Sequence, residues 1–196
     1  GNGTNAKAIL ESQKKNNLGN AFVTGIISDR KNVGILKIAN EFSIPSFFVE
    51  CNQSKAKLSN TDQKNFIEKI NIFKPELIVL AGFMKILPSA FIEYFQSKII
   101  NIHPSLLPSF KGINAIERAF EHGVKISGCT VHQVSAEIDS GKILSQAPVR
   151  IMDSDTIDTL THKIHAAEHV ILSSTIADLS QKSASELFKK NDQCNL

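Results

Sequence analysis

Apolar positions fall in short runs separated by stretches with helical spacing, and the two patterns alternate along most of the chain. Residues 21–27 (Ala-Phe-Val-Thr-Gly-Ile-Ile) read as a buried strand, after which Leu36, Ala39 and Phe42 mark one face of a helix. Residues 46–49 form a second short strand. Phe66, Ile67, Ile70 and Phe73 give the stripe of another helix, stopped near Pro75. The continuous apolar run 76–81 favours a strand covered on both faces, and residues 98–102 are similar, ending at Asn101 and His103. Beyond Gly112 the pattern predicts a helix to about Glu121 and strands near 126–134 and 142–151. A long terminal helix follows, with Ile157, Leu160, Ile164 and Ile171 on one face. This β-α-β-α rhythm implies the α/β class: a single domain over residues 1–196 built on a doubly wound, mostly parallel sheet. The polar tail from about Ala184, with Lys189 and Lys190, is expected to fray.

Composition narrows the partners. With 196 residues, 42% hydrophobic and 21% charged, the chain has material for one compact, soluble core. A net charge of +3 and a pI near 8.7 suit small anionic molecules and are too mild to argue for nucleic acid. No apolar run approaches the roughly 20 residues that span a bilayer, and no signal peptide is visible, so no membrane partner is expected. Cys51, Cys129 and Cys194 are odd in number and widely spaced. They suit neither a disulfide framework nor a metal knuckle, and a reducing cytoplasm is the expected compartment. Cys129 reads as a small buried hydrophobe.

Two stretches carry candidate chemistry. The first is Gly1-Asn2-Gly3-Thr4-Asn5, which leads into a helix near Ala6. Glycines allow a sharp turn and close approach of a ligand, and a helix start offers unpaired N–H groups, a combination that suits phosphate. An Asn/Gly turn that merely caps a helix would look the same. Such a turn normally follows a strand, so the first strand of the sheet is expected to lie ahead of Gly1. The second stretch is Asn101-Ile102-His103-Pro104-Ser105-Leu106-Leu107-Pro108. Asn101 and His103 are two apart at a strand end, so they project on one side, where open α/β sheets gather ligands. An Asn amide can donate to a developing oxyanion, and a His can move a proton near neutral pH. His132, on a later strand, and Asp139, in the loop after it, offer partners; a carboxylate near His103 would favour its protonated form.

Taken in order, the blocks 1–5, 80–87, 101–112, 128–141 and Glu168-His169 resemble the glycinamide ribonucleotide formyltransferases, folate-dependent enzymes of purine synthesis. The resemblance runs from Gly1 to about Leu179. Asn-x-His-Pro-Ser-Leu-Leu-Pro marks the wider formyltransferase group. The resemblance implies a Rossmann-like fold and formyl transfer from 10-formyltetrahydrofolate, a co-substrate, to the amine of glycinamide ribonucleotide, without a metal. It makes Asn101, His103 and Asp139 the catalytic trio, with Asp139 raising the His103 pKa and His132 hydrogen-bonding Asp139. Gly3, Thr4 and Asn5 correspond to the phosphate loop, and Glu168 to the residue holding the ribose hydroxyls. Met84, Lys85, Ile86 and Leu87, with Ser135, Ala136, Glu137 and Ile138, correspond to the pterin pocket, beside Asn101. Lys85 stands where many members have Arg. The Ser-Arg pair common near 53–60 is missing here, which leaves Lys55 and Lys57, of which Lys57 is taken as the folate-side cation.

Four alternatives compete. Methionyl-tRNA formyltransferase and formyltetrahydrofolate deformylase share Asn-x-His and the later Asp, but each carries a further domain. His165-Ala166-Ala167-Glu168-His169 fits the inverted zinc-protease pattern, with His162 adding a third imidazole on one helix face. The last is a binding module that keeps the fold without activity, against which the intact trio speaks. The partners expected are thus small molecules, and the sequence leaves room for a homodimer.

Overall fold

The computed structural model describes residues 3–31, 33–52, 54–95 and 98–182. Helix α1 (Thr4–Lys14) leads through an extended stretch to β1 (Ile26–Ser28), α2 (Gly34–Glu41) and β2 (Ser46–Phe48). Then come α3 (Asn60–Phe73), β3 (Ile78–Leu80), α4 (Ser89–Tyr94) and β4 (Ile99–His103). Last are α5 (Ala115–Glu121), β5 (Ile126–Gln133), β6 (Ile143–Arg150) and α6 (Ile157–Leu179). Local chemistry sets several boundaries. A capping box starts α3, in which Ser59 Oγ accepts from the Asp62 N–H while the Asp62 carboxylate accepts from the Ser59 N–H. Thr156 and Thr159 do the same for α6. Lys74, left-handed at φ 46°, ends α3 just ahead of Pro75.

The strands form two sheets, a parallel pair β1–β2 and a mixed sheet in the order β3-β4-β5-β6. Pairing of β3 with β4 is parallel, whereas β4–β5 and β5–β6 are antiparallel. The α/β class stands, and the parallel character belongs to the N-terminal half of the chain. The antiparallel half follows from chain length: β5 and β6 are joined by a loop too short for the crossover that parallel neighbours require.

Alternation along β4 sends its side chains to two cores. Ile100 and Ile102 pack with Cys129 and Val131 of β5 against Leu160, Ile164 and Leu172 of α6. Ile99 faces the other way, onto Phe66 and Ile70 of α3 and Phe91 and Ile92 of α4. Leu160 and Ile164 are fully buried, and trimming either to Ala would cost about 2–5 kcal/mol. Helix α4 has no counterpart in the sequence reading, because six residues are under two turns and show no period. Conversely, residues 21–25 are apolar but join no ladder; only Ile26–Ser28 pair, with Ser46–Phe48.

Between β1 and β3 runs an apolar cleft of about 760 Å³, bordered by Gly25, Ile27, Ile78 and Leu80 and floored by Phe66 and Ile176. Gly3 lines the same cleft, at the carboxyl ends of the flanking strands. Its φ of +75° strains any residue with a side chain, and a would-be Cβ 3.0 Å from Ile35 Cα would crowd the neighbouring helix. A strand leading into the turn would lie in this cleft. Extending the chain ahead of Gly1 by five or six apolar β-branched residues should join the two sheets. Loss of fluorescence from the hydrophobic dye ANS and a rise in melting temperature of about 5 °C or more would show it; no change in either would show that the cleft does not take a strand.

Candidate active site

Strand register assembles the site. Asn101 lies opposite His132 and His103 opposite Thr130 in the β4–β5 ladder, so all four side chains stand on one face of the sheet. Ile99 shares that face but lies beneath α3 and α4; Asn101 and His103 continue it past those helices, at the carboxyl end of β4. The expected pairing of Asn101 with His103 on one side is therefore what the structure has, and the antiparallel neighbour adds His132.

Asp139 reaches this face from the loop after β5. Its backbone is left-handed, at φ 49°, and the loop closes where Gly141 presses on the Gln133 carbonyl so tightly that a Cβ would overlap it. One carboxylate oxygen, Oδ2, accepts from the Gly112 N–H at 2.8 Å and lies 3.4 Å from His103 Nδ1. The other, Oδ1, lies 3.6 Å from His132 Nε2. The second nitrogen of His103, Nε2, is 3.0 Å from the Phe110 carbonyl. Acceptors thus face both ring nitrogens, and only the doubly protonated ring can donate to both. The side chains of His103 and Asp139 are 7% and 12% exposed, so their interaction is shielded from bulk solvent.

His132 plays a different part. Its Nδ1–H donates to the Gln133 carbonyl at 2.9 Å, leaving Nε2 to accept from Asn101 Nδ2 at 3.3 Å. Burial lowers its pKa from the ordinary 6.5; the Gln133 bond and the Asp139 charge push upward, and His103 adds to the lowering. The neutral ring therefore holds the Asn101 amide, instead of the hydrogen bond to Asp139 that the family resemblance implied. One amide hydrogen of Asn101 is used in this way, and the other is available to a ligand. The backbone groups of Phe110, Gly112 and Gln133 were not singled out from the sequence, since any residue type supplies them.

The amino-terminal turn packs against α6. Gly3 caps α1, and the helix ladder begins with Lys7 N–H donating to the Gly3 carbonyl, so the N–H groups of Thr4, Asn5 and Ala6 fall outside it. Asn5 Nδ2 donates to Glu168 Oε2 at 3.0 Å, while the buried Asn5 Oδ1 has no partner among the described residues. Glu168 is only 4% exposed. It also sits near Cys129, whose thiol is pushed up to about 12 by burial first and then by the Glu168 charge. Cys129 is thus an inert thiol in the core, as read from the sequence. Gly1, Asn2, Cys194 and the tail from Ala184 lie outside the described residues.

The segments expected around the pterin are held by backbone. Ile86 and Lys57 form a parallel bridge, with Ile86 N–H donating to the Ala56 carbonyl at 2.9 Å. Lys85 Nζ donates to the carbonyls of Asn52 and Lys55 at 2.9 and 2.7 Å, so this cation braces the 52–57 loop. Leu87 is buried, whereas Met84 is 75% exposed and Ile86 lies at the surface. Ser135 Oγ donates to the Glu137 carbonyl at 2.8 Å, and Lys111 reaches both Ser140 and Glu137. Ala136 and Ile138 are exposed on the same loop. On α6, Glu168 turns into the protein towards Asn5 while His162 is exposed. Among the described residues no group of His, Cys, Asp or Glu could hold a metal ion, and no helix is long and apolar enough to cross a membrane.

An amide and an imidazole at a strand end, with a carboxylate brought beside them by a loop, can support acid–base group transfer. The chain belongs to the formyl transferase family, whose pattern matches residues 1–176. It is 37% identical over 179 residues to the phosphoribosylglycinamide formyltransferase of Bacillus subtilis (strain 168), covering 91% of this chain and 90% of that protein. It is 40% identical over 170 residues to the trifunctional purine biosynthetic protein adenosine-3 of Gallus gallus, 86% of this chain against 17% of that one. The crystal structure of phosphoribosylglycinamide formyltransferase from Bacillus halodurans superposes with a TM-score of 0.86 at 33% identity, covering 96% of both chains.

The lowered pKa of His132 has a consequence for stability. Unfolded chains bind this proton more readily than folded ones, so stability is lost as pH falls below 6.5, by at most about 1.4 kcal/mol per pH unit from one group. Urea melts at about pH 7.5 and about pH 5.5 should show a smaller drop for His132→Gln than for wild type. An equal drop in both proteins would mean that His132 titrates normally.

Proposed function

We propose that the chain transfers the formyl group of 10-formyltetrahydrofolate to the amine of glycinamide ribonucleotide, giving formylglycinamide ribonucleotide and tetrahydrofolate. The observation that carries this reading is the Asp139 carboxylate set 3.4 Å from His103, with Asn101 beside them, in a chain of the formyl transferase family. The near-full-length likeness to the Bacillus subtilis enzyme supports the choice of acceptor.

In this reading the amine lone pair attacks the formyl carbon, and the carbonyl electrons move onto oxygen. The second N–H of Asn101 donates to that oxyanion, and protonated His103 places positive charge beside it. Asp139 accepts the proton lost by the amine, through water, and returns it towards N10 of the folate as the carbon–nitrogen bond breaks. Collapse of the oxyanion then regenerates a carbonyl, now on the acceptor. Holding both reactants at the strand ends turns a bimolecular step into one within a single complex. His132 fixes the Asn101 amide and takes no proton itself.

The N–H groups of the α1 start, with Gly3, Thr4 and Asn5, receive the acceptor's phosphate. Glu168, buried beside Asn5, takes the ribose hydroxyls. Residues Met84 to Leu87 and Ser135 to Ile138 enclose the pterin, and Lys57 serves the glutamate end; Lys85 is occupied with the 52–57 loop. Residues 1–196 act as one catalytic domain. A homodimer is compatible with this arrangement.

Turnover of a 10-formyl-folate analogue, followed by absorbance with and without glycinamide ribonucleotide, tests the reading. Folate release only in the presence of the ribonucleotide is expected. Release in its absence would instead mark a hydrolase.

A further inference from the structure

The row of polar side chains on the active face continues past the residues given a role in the reaction. Register places Thr130 opposite His103 on one side and opposite Gln146 on the other, so three side chains cross β4, β5 and β6 in line. Thr130 is fully buried, and its hydroxyl makes three hydrogen bonds, as many as a hydroxyl commonly makes. Oγ1 accepts from the Leu107 N–H at 3.0 Å and from Gln146 Nε2 at 3.0 Å, and it donates to the Ser105 carbonyl at 2.6 Å. Gln146 Nε2 also donates to the Leu107 carbonyl at 2.9 Å. Ser105, equally buried, donates from Oγ to the Ser109 carbonyl.

These bonds tie residues 105–109 to the sheet directly behind His103. A buried threonine that satisfies backbone groups commonly serves stability alone. Here, however, the segment it holds runs straight into Phe110 and Gly112. The Phe110 carbonyl accepts a hydrogen bond from His103 Nε2–H, and the Gly112 N–H donates to the Asp139 carboxylate. Phe110 is itself left-handed, at φ 53°, a conformation disfavoured for a bulky residue and kept only where the surroundings impose it.

We infer that Thr130, backed by Gln146, is a positioning residue. Its hydroxyl sets the 105–112 loop so that the Phe110 carbonyl fixes the orientation of the His103 ring while Gly112 aims Asp139 at the same ring. The kinetic part of this inference rests on the formyl-transfer reading; the structural part does not.

The test compares Thr130→Val, which keeps shape and removes the hydroxyl, with Thr130→Ser, which keeps the hydroxyl. Misplacing His103 and Asp139 should lower kcat of Thr130→Val by about tenfold to a hundredfold. KM for both substrates should stay within about twofold, and Thr130→Ser should recover most of the rate. In ¹⁵N spectra of histidine-labelled protein, the Nε2–H signal of His103 should shift or vanish in Thr130→Val and be retained in Thr130→Ser. Wild-type kcat and His103 signals in Thr130→Val would overturn the inference, as would equal impairment of the two variants. Should Thr130→Val fail to fold, Gln146→Leu, at the exposed edge of β6, carries the same test: the His103 signal should shift, and an unchanged signal would overturn the inference. If wild-type protein releases no folate in the presence of glycinamide ribonucleotide, the proposed reaction fails, while the His103 spectra still decide the role of Thr130.

Discussion

One carboxylate organises the site. Asp139 enters from a loop with a left-handed backbone, is held by the Gly112 N–H, and sets its two oxygens towards His103 and His132 across the β4–β5 ladder. A carboxylate this shielded needs compensating donors, or its desolvation would outweigh what it gains. The Gly112 amide and the His103 ring supply them. Remove the carboxylate, and His103 Nδ1 loses its acidic neighbour, while the 139–141 turn loses the bond that ties it to Gly112.

The fold serves this contact by changing direction at β4. Parallel pairing with β3 gives the strand a buried hydrophobic flank, and antiparallel pairing with β5 brings His132 beside Asn101. One face of the sheet goes to α1 and α6, and the other to α3 and α4. The face is apolar at its root, where Ile99 packs on α3 and α4, and polar at its tip, where Asn101 and His103 stand. The two histidines divide the work through their backbone partners. Gln133 fixes His132 as a neutral acceptor for Asn101, whereas Phe110 and Asp139 present acceptors to both sides of His103.

Much of this could be read from the residues. Uninterrupted apolar runs located β3 and β4, period-3.6 stripes located α3 and α6, and the two-residue spacing of Asn101 and His103 placed them on one side of a strand. What escaped had no signature in side-chain type. Antiparallel pairing of β4 with β5 depends on how the chain returns, not on the composition of either strand. Helix α4 is too short to show a period. The Phe110 carbonyl and the Gly112 amide are backbone groups, and Thr130 in a strand reads as an ordinary β-branched residue until register sets it beside His103. His132 was recognised and stands 3.6 Å from Asp139, but its contact with Asn101 was not foreseen, because burial and the Gln133 carbonyl decide its protonation and neither is visible in a linear string.

The most direct measurement is single-turnover formyl transfer by Asp139→Asn alongside equilibrium binding of glycinamide ribonucleotide and folate. Asparagine keeps the shape and can still accept from the Gly112 N–H, so it removes the charge with little change to the loop. The transfer rate should fall by about a hundredfold or more, with both dissociation constants within about threefold of wild type. A variant that transfers formyl at the wild-type rate would contradict the account, because the carboxylate would then be holding the loop and nothing more.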